Sequence, residues 1–414
     1  MARLWRGTFA AMAVLGLGLG MAEGGPNWPR WRGPLENGHS EDLGLPVAFE
    51  AKDIVAKVPL KGIGQSSPVV WGEKVFLTTA LDKGQKRVVF CLDRTSSKTL
   101  WEHTAWTGEP EPSHIMNGWA SATCVTDGEV VVAFFGKGGL HGYSVNGKPL
   151  WSKNLGTFES PWGVASCPVI VGDLIIQAGD SEKDAFIAAF NKKTGEQVWS
   201  TPRPNNRGWS TPIVVDVAGR QELVVNGHAG VMAYDPKTGK ELWFCKSFNG
   251  RGEPTVTPAG GLLCAVNGLS GDVYAIKPGG SGDVTKTHMA WHTPRKTNRD
   301  CPSPIVIGDA MLIMDMKGIV TCYQPSTGTE VWKHRIGGNF SASPIAANGL
   351  AYFIGEDGTV IAIKPGNEPN IVAQSKIAGA EGELFRASIT PCEGQLLIRS
   401  TTNLYVVGER KQAK

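Results

Sequence analysis

Several signatures that would narrow the chemistry of this 414-residue chain are missing. It has eight cysteines, but none are adjacent and none fall in a Cys-x-x-Cys or Cys-x-x-Cys-His pattern. That excludes covalent c-type haem and the common zinc-ribbon spacing. Gly-x-Ser-x-Gly and His-Glu-x-x-His are also absent, so the commonest hydrolase signatures do not apply. Charged residues are scarce at 19%, against about 25% in ordinary globular domains. Lys and Arg number 41 against 38 Asp and Glu, with no basic run, which gives no support to nucleic-acid binding. Beyond the first 22 residues no apolar run is long enough to span a bilayer. No helical period of useful length follows either.

The first residues have the composition of an export signal. Arg3 and Arg6 give a positive start, Phe9 to Leu19 is apolar, and Gly20-Met21-Ala22 supplies small residues for a cut after Ala22. The expected organisation is a signal peptide over 1–22, an extended lead-in over 23–52, one domain over 53–410 and a tail over 411–414. No cysteine follows the cut, so no lipid-anchored N-terminus is expected. The expected location is the periplasm or the cell exterior.

What the chain does have is glycine, 53 residues, together with 14 Trp and 14 Phe. Many short apolar runs separated by turn glycines describe a β protein, and so many aromatics exclude a disordered chain. The runs repeat. Asn191-Lys-Lys-Thr-Gly-Glu-Gln-Val-Trp199, Asp235-Pro-Lys-Thr-Gly-Lys-Glu-Leu-Trp243 and Gln324-Pro-Ser-Thr-Gly-Thr-Glu-Val-Trp332 share a turn Gly four residues before Trp. Asn146-Gly-Lys-Pro-Leu-Trp151 keeps that spacing, Asp93 to Trp101 has Ser97 at the glycine, and Trp291 closes a looser copy. The tryptophans 101, 151, 199, 243, 291 and 332 are 41 to 50 residues apart. Four short strands per unit at this period predict a β-propeller. First strands near Ser67, Ala122, Cys167, Thr211, Thr255, Ser303, Ser343 and Ser388 give an all-β, eight-bladed β-propeller of four-stranded antiparallel blades. The eighth unit stops after three strands, and Asp53 to Val58 is the expected fourth, closing the ring and removing sheet edges. The six repeat tryptophans are then blade-docking residues, each contributing a few kcal/mol by burial.

The Asp-x-x-Thr-Gly-x-x-x-Trp turn resembles the PQQ-type propeller repeat, and the resemblance covers nearly all of the chain after the leader. Two branches share that repeat. One is the quinoprotein alcohol dehydrogenases, which bind PQQ and calcium over the central channel. The other is non-catalytic propellers such as the lipoprotein of the outer-membrane assembly machinery. The vicinal disulfide, the large insertions, the haem motif and an Asp-rich calcium loop of the first branch are all missing here. The lipid-bearing cysteine of the second is missing too.

Loops leading into first strands converge on one mouth of a propeller channel. Asn117, Trp119, Trp162, Trp209, Arg251, Glu253, Arg299, Asp300, Asn339, Phe340 and Arg386 occupy such positions and form the candidate binding rim. His114 is a further rim residue. Glu253, Asp300, Glu381 and Glu383 are the carboxylates to weigh for acid–base work. His288 and His292 lack a third metal ligand. Gly136-Lys-Gly-Gly-Leu-His-Gly142 lies between strand runs with no helix to bind phosphate and reads as a turn. Trp28, Arg30, Trp31 and Arg32 are expected to pack the lead-in against the ring, with Arg stacked on Trp.

Three functions compete. The favoured one is a monomeric, non-enzymatic scaffold binding a protein or peptide in the cell envelope, with no catalytic residue, no metal, no nucleic acid and no cofactor. The alternative implied by the resemblance is a PQQ- and calcium-dependent dehydrogenase. There Arg299 and Arg386 would hold the quinone carboxylates, Trp209 or Trp162 would stack on the ring, and Asp300 would be the base. The third is a carbohydrate-binding propeller using Trp119, Trp162 and Trp209 as stacking platforms.

Overall fold

The repeat unit folds into a twisted sheet whose strands run outward from a common axis. In a computed structural model, residues 27–409 are described except 159, 248–249 and 296–299; the leader 1–22 and the tail 411–414 lie outside the described residues. Eight antiparallel sheets follow one another around a ring. Their innermost strands begin at Val69, Val125, Val169, Ile213, Thr257, Ile305, Ile345 and Thr390, two or three residues after the starts read from the sequence. Middle strands such as Val130–Phe134 and Leu350–Ile354 are buried at every position, because each blade is covered on both faces by its neighbours. That is why they read as unbroken apolar runs rather than alternating ones. Outer strands such as Thr99–Thr107 alternate in exposure.

The eighth sheet is completed from the other end of the chain. Ile54–Pro59 pairs antiparallel with Asn403–Gly408, placing Ile54 opposite Val407 and Pro59 opposite Asn403. One blade departs from four strands. Gly282–Asp283, from a long loop of the fifth blade, adds to the fourth blade as a parallel fifth strand on Glu241–Lys246, followed by a single helical turn at Thr285–His288.

The repeat tryptophans join neighbouring blades. Four of the six indoles lie against the glycine of the next blade's turn so closely that a Cβ on that glycine would sit 2.5 Å from Trp101 at Gly147, 2.6 Å from Trp151 at Gly195, 2.3 Å from Trp199 at Gly239 and 2.4 Å from Trp291 at Gly328. These glycines also have φ near +70° to +90°, which favours glycine on its own. The indole N–H completes the dock. It donates to the carbonyls of Lys192 from Trp151 (2.9 Å), Pro236 from Trp199 (3.1 Å), Pro325 from Trp291 (2.9 Å) and Gly366 from Trp332 (2.9 Å). Trp243 instead donates to Glu222 Oε2 at 2.8 Å.

A second set of links runs around the axis. Just ahead of seven of the eight first strands stands a hydroxyl or thiol that accepts the backbone N–H of its counterpart in the preceding blade. Ser67 N–H donates to Thr123 Oγ1 (2.9 Å), Thr123 to Cys167 Sγ (3.2 Å), and Cys167 to Thr211 Oγ1 (3.0 Å). The series continues from Thr211 to Thr255 Oγ1 (3.1 Å), Thr255 to Ser303 Oγ (3.0 Å) and Ser303 to Ser343 Oγ (2.9 Å). Ser388 N–H donates to Ser67 Oγ at 3.0 Å. Backbone amides beside the channel thereby find partners that no fifth strand could supply.

The lead-in departs from the extended surface path expected of it. Residues 28–42 cross one end of the channel. Trp28 forms a β-bridge with Val70, Pro29 O accepts from Thr126 N, Gly38 O from Ala346 N, and Glu36 Oε2 from Val214 N. Arg32 Nη2 donates to Pro304 O at 2.7 Å. Partners in the first, second, fourth, sixth and seventh blades require a path across the axis. The cause is the inner edge of each innermost strand, which has no sheet neighbour and would otherwise leave amides unpaired at this end. Trp28 and Arg32 are buried, Arg32 lies over the Trp31 ring, and burial pushes its guanidinium down to about 9.

Because Trp199 is nearly buried in its dock, Trp199→Ala should destabilise the protein by about 3–5 kcal/mol. Val198→Ala, one residue earlier and half exposed, should stay within about 0.5 kcal/mol. Urea unfolding midpoints of the two variants check this.

Candidate functional site

The crossing lead-in makes the channel blind. A cavity of about 210 Å³ remains above Trp31, whose indole N–H donates to Ser388 Oγ at 3.3 Å. The axial hydroxyls of Ser67, Thr123, Thr211, Ser343 and Ser388 and the Cys167 thiol line its walls. The open mouth is built by the loops entering the first strands, as the sequence predicted.

Six of the eleven rim residues meet there: Asn117, Trp162, Trp209, Arg251, Glu253 and Arg386. Trp162 is their centre. The Arg207 and Arg251 guanidinium carbons sit 5.0 and 5.4 Å from its ring centroid, and the His114 ring is 4.9 Å away. Stacked cations strip little from an aromatic face while leaving charge at the mouth. The Trp162 carbonyl accepts from Asn117 Nδ2 at 2.9 Å, whereas its indole N–H is buried without a protein acceptor. Trp209 is fixed by its indole N–H to Gly163 O at 2.9 Å. Arg386 bonds Glu356 Oε1 at 3.1 Å and Ile115 O at 2.9 Å, tying the loop that bears His114 to the far side.

Four rim candidates are not brought to the cavity. Trp119 turns outward, packs on Gly84 and donates to Glu111 O at 2.8 Å. Asp300 is fully buried and bonded by Arg295 Nη1 at 2.8 Å. Phe340 lies in the core between the sixth and seventh blades. Asn339 is exposed and caps Glu356 through its carbonyl. The loops bury Asp300 and Phe340 and turn Trp119 and Asn339 away from the cavity, a choice that position in the repeat does not reveal. Arg299 lies outside the described residues. Of the other carboxylates, Glu383 sits at the ring closure, accepting from Tyr405 Oη at 2.7 Å and Lys57 Nζ at 3.1 Å. Burial would raise its pKa, but the bonds from Ser400, Tyr405, Asn403 and Lys57 outweigh it and hold the carboxyl below the usual range.

Sequence reasoning missed the axial hydroxyls, Trp31 as a floor, and Met116, Cys301 and Met316 in the wall. The hydroxyls had a signal: Ser67, Cys167, Thr211, Ser303 and Ser343 each precede a proline in phase with the repeat.

Of the residues that a quinone site would use, Asp300 is bonded by Arg295 and Arg386 by Glu356, and Arg299 lies outside the described residues. No helix among the described residues is long and apolar enough to cross a membrane.

Fold and site together define a closed eight-bladed propeller of the PQQ-repeat type with a blind axial cavity. The chain belongs to the family described as outer membrane protein assembly factor BamB, which it matches over residues 47–183, 183–292 and 270–368. It is 24% identical over 273 residues to the outer membrane protein assembly factor BamB of Burkholderia pseudomallei, covering 65% of this chain and 67% of that protein. The crystal structure of BamB from Moraxella catarrhalis superposes with a TM-score of 0.63 at 16% identity, over 87% of this chain and 98% of that one. A europium-containing methanol dehydrogenase superposes with a TM-score of 0.69 at 12% identity, over 92% of this chain and 89% of that one. At these identities the two structures share the fold.

Cys167→Ser should leave stability within about 1 kcal/mol, because the hydroxyl still accepts from Thr123, whereas Cys167→Val orphans that amide and should cost about 1–3 kcal/mol. Thermal unfolding of the pair checks this. Glu383 has a lowered folded pKa, so its stabilisation is present above about pH 4.3 and is lost as pH falls through the folded value. Glu383→Gln should therefore flatten the acid limb of a stability–pH profile.

Proposed function

We propose that this protein is an exported, non-enzymatic scaffold of the cell envelope, working in the periplasm or outside the cell, that binds a protein or peptide partner at the open mouth of its channel. The observation that carries this reading is the rim itself. Trp162 stacked with Arg207 and Arg251, beside the protruding Ile115 loop, offers an aromatic and cationic surface over a blind cavity. Aromatic and Arg residues are the ones that anchor protein interfaces. The carboxylates a dehydrogenase would use as base or calcium ligands are instead tied to arginines, as Asp300 is to Arg295. Membership of a family described as an assembly factor supports a protein partner. The working form in this reading is the monomer, since the ring closes within one chain by pairing Ile54–Pro59 with Asn403–Gly408.

Two measurements test this. PQQ with calcium should not shift the unfolding temperature of the purified mature chain, whereas a ligand at a hundred times its dissociation constant would add about 2.7 kcal/mol. Immobilised protein should retain a partner from envelope extract, and Ile115→Asp at an exposed rim position with Arg207→Glu at a half-buried one should release it. A clear shift with PQQ, or retention unaffected by the double variant, would overturn the scaffold reading.

A further inference from the structure

Two blades lack the docking tryptophan, and the structure treats them differently. Each tryptophan occupies one register position, directly opposite a small or apolar residue of the third strand and next to the β-bulge. Ala189 faces Trp199, Ala233 faces Trp243 and Cys322 faces Trp332. In the seventh blade that position is Ala373, opposite Ala362. In the eighth it is Ala56, opposite Val406.

At the seventh blade the lead-in fills the gap. Leu45 and Phe49 are buried in the cluster against which Ala373 packs, and Phe49 N–H donates to Ser375 Oγ at 2.9 Å. At the eighth nothing among the described residues does. The turn it faces, in the first blade, also carries Ser97 (φ 60°) where four other docks have Gly147, Gly195, Gly239 and Gly328. Indole and glycine are missing from the same seam, and a cleft of about 350 Å³ lies there, lined by residues 55–59 and 94–97.

We propose that this cleft is a docking slot for a tryptophan side chain carried by an extended segment of a partner protein. The other seams define the occupant. Lys192, Pro236 and Pro325, whose carbonyls accept the indole N–H, each directly follow the first residue of their turn. Arg94 follows Asp93 in the same way, so its carbonyl is the matching acceptor. The strand bordering the slot, Ile54–Pro59, is the outer edge of its sheet and can accept another strand. The fourth blade shows this happening within the chain: Gly282–Asp283 adds in parallel to an outer edge, and the next residue, Val284, buries itself in the cluster containing Trp243. The cations of the lining, Lys57 and Arg94, are already paired, Lys57 with Glu383 and Arg94 with Glu73 and Glu393, so the indole and not charge selects the segment. The slot lies at the outer rim and is separate from the channel mouth, so its fate does not decide that of the channel reading.

The probe is an eight-residue peptide with one tryptophan among serines, with a Trp→Ala peptide as control, titrated into the purified mature chain and followed by ligand-observed NMR. The tryptophan peptide should bind at least tenfold more tightly than the control. Ala56→Trp with Ser97→Gly rebuilds the missing dock from the chain itself; it should abolish that binding and raise the unfolding temperature. Ala56→Leu, a smaller filling, should weaken binding if the double variant folds poorly. No binding at millimolar peptide, equal binding of the control, or full binding to the filled variants would overturn the proposal.

Discussion

The contact on which this molecule depends is an indole laid flat on a glycine. A blade alone is a four-stranded sheet with two apolar faces and cannot stand in water. The dock sets how far apart neighbouring blades lie at their outer edges, and it demands three things at once: a large flat ring, a turn residue with no Cβ, and a free carbonyl for the indole N–H. Near the axis a different chemistry does the same task, with hydroxyls and one thiol accepting amides from blade to blade. Blades are thus pinned at two radii, by dispersion outside and by hydrogen bonds inside.

A ring pinned in this way has a hole, and what becomes of the hole determines the character of the protein. Here one end is sealed by the chain's own lead-in, whose backbone satisfies strand edges that face the axis. A through-channel becomes a cup. Its floor is an indole, its wall is a belt of hydroxyls, and its lip carries Trp162 between stacked cations. At the lip Arg386 is bonded to Glu356 and, beneath it, Arg295 to Asp300.

Much of the fold was legible because propeller repeats write the same solution several times. The Trp–Gly spacing, the period and the first-strand starts could all be read by comparing the chain with itself. The rim was half legible. Loop position assigned Asn117, Trp162, Trp209, Arg251, Glu253 and Arg386 to the mouth, but the same logic included Trp119, Asp300, Asn339 and Phe340, which the loops turn outward or bury. Loops do not repeat, so periodicity carries no information about which way their side chains face. Trp31 as a floor was invisible for another reason: it answers unpaired amides on strand edges, a need that exists only once the ring has closed. Ala56 is the converse case, an absence that acquires meaning only when its register equivalence to the tryptophans is known.

The closing strand has a consequence for how the chain is made. Ile54–Pro59 leaves the ribosome about 350 residues before its partner Asn403–Gly408. Contacts of such sequence separation are slow to form. The nascent protein must therefore hold seven nearly complete sheets in an open arc until Asn403–Gly408 arrives. A truncated product missing only those residues would keep most of its sheets and none of its closure, and the open arc is the state in which chaperones and proteases would meet it.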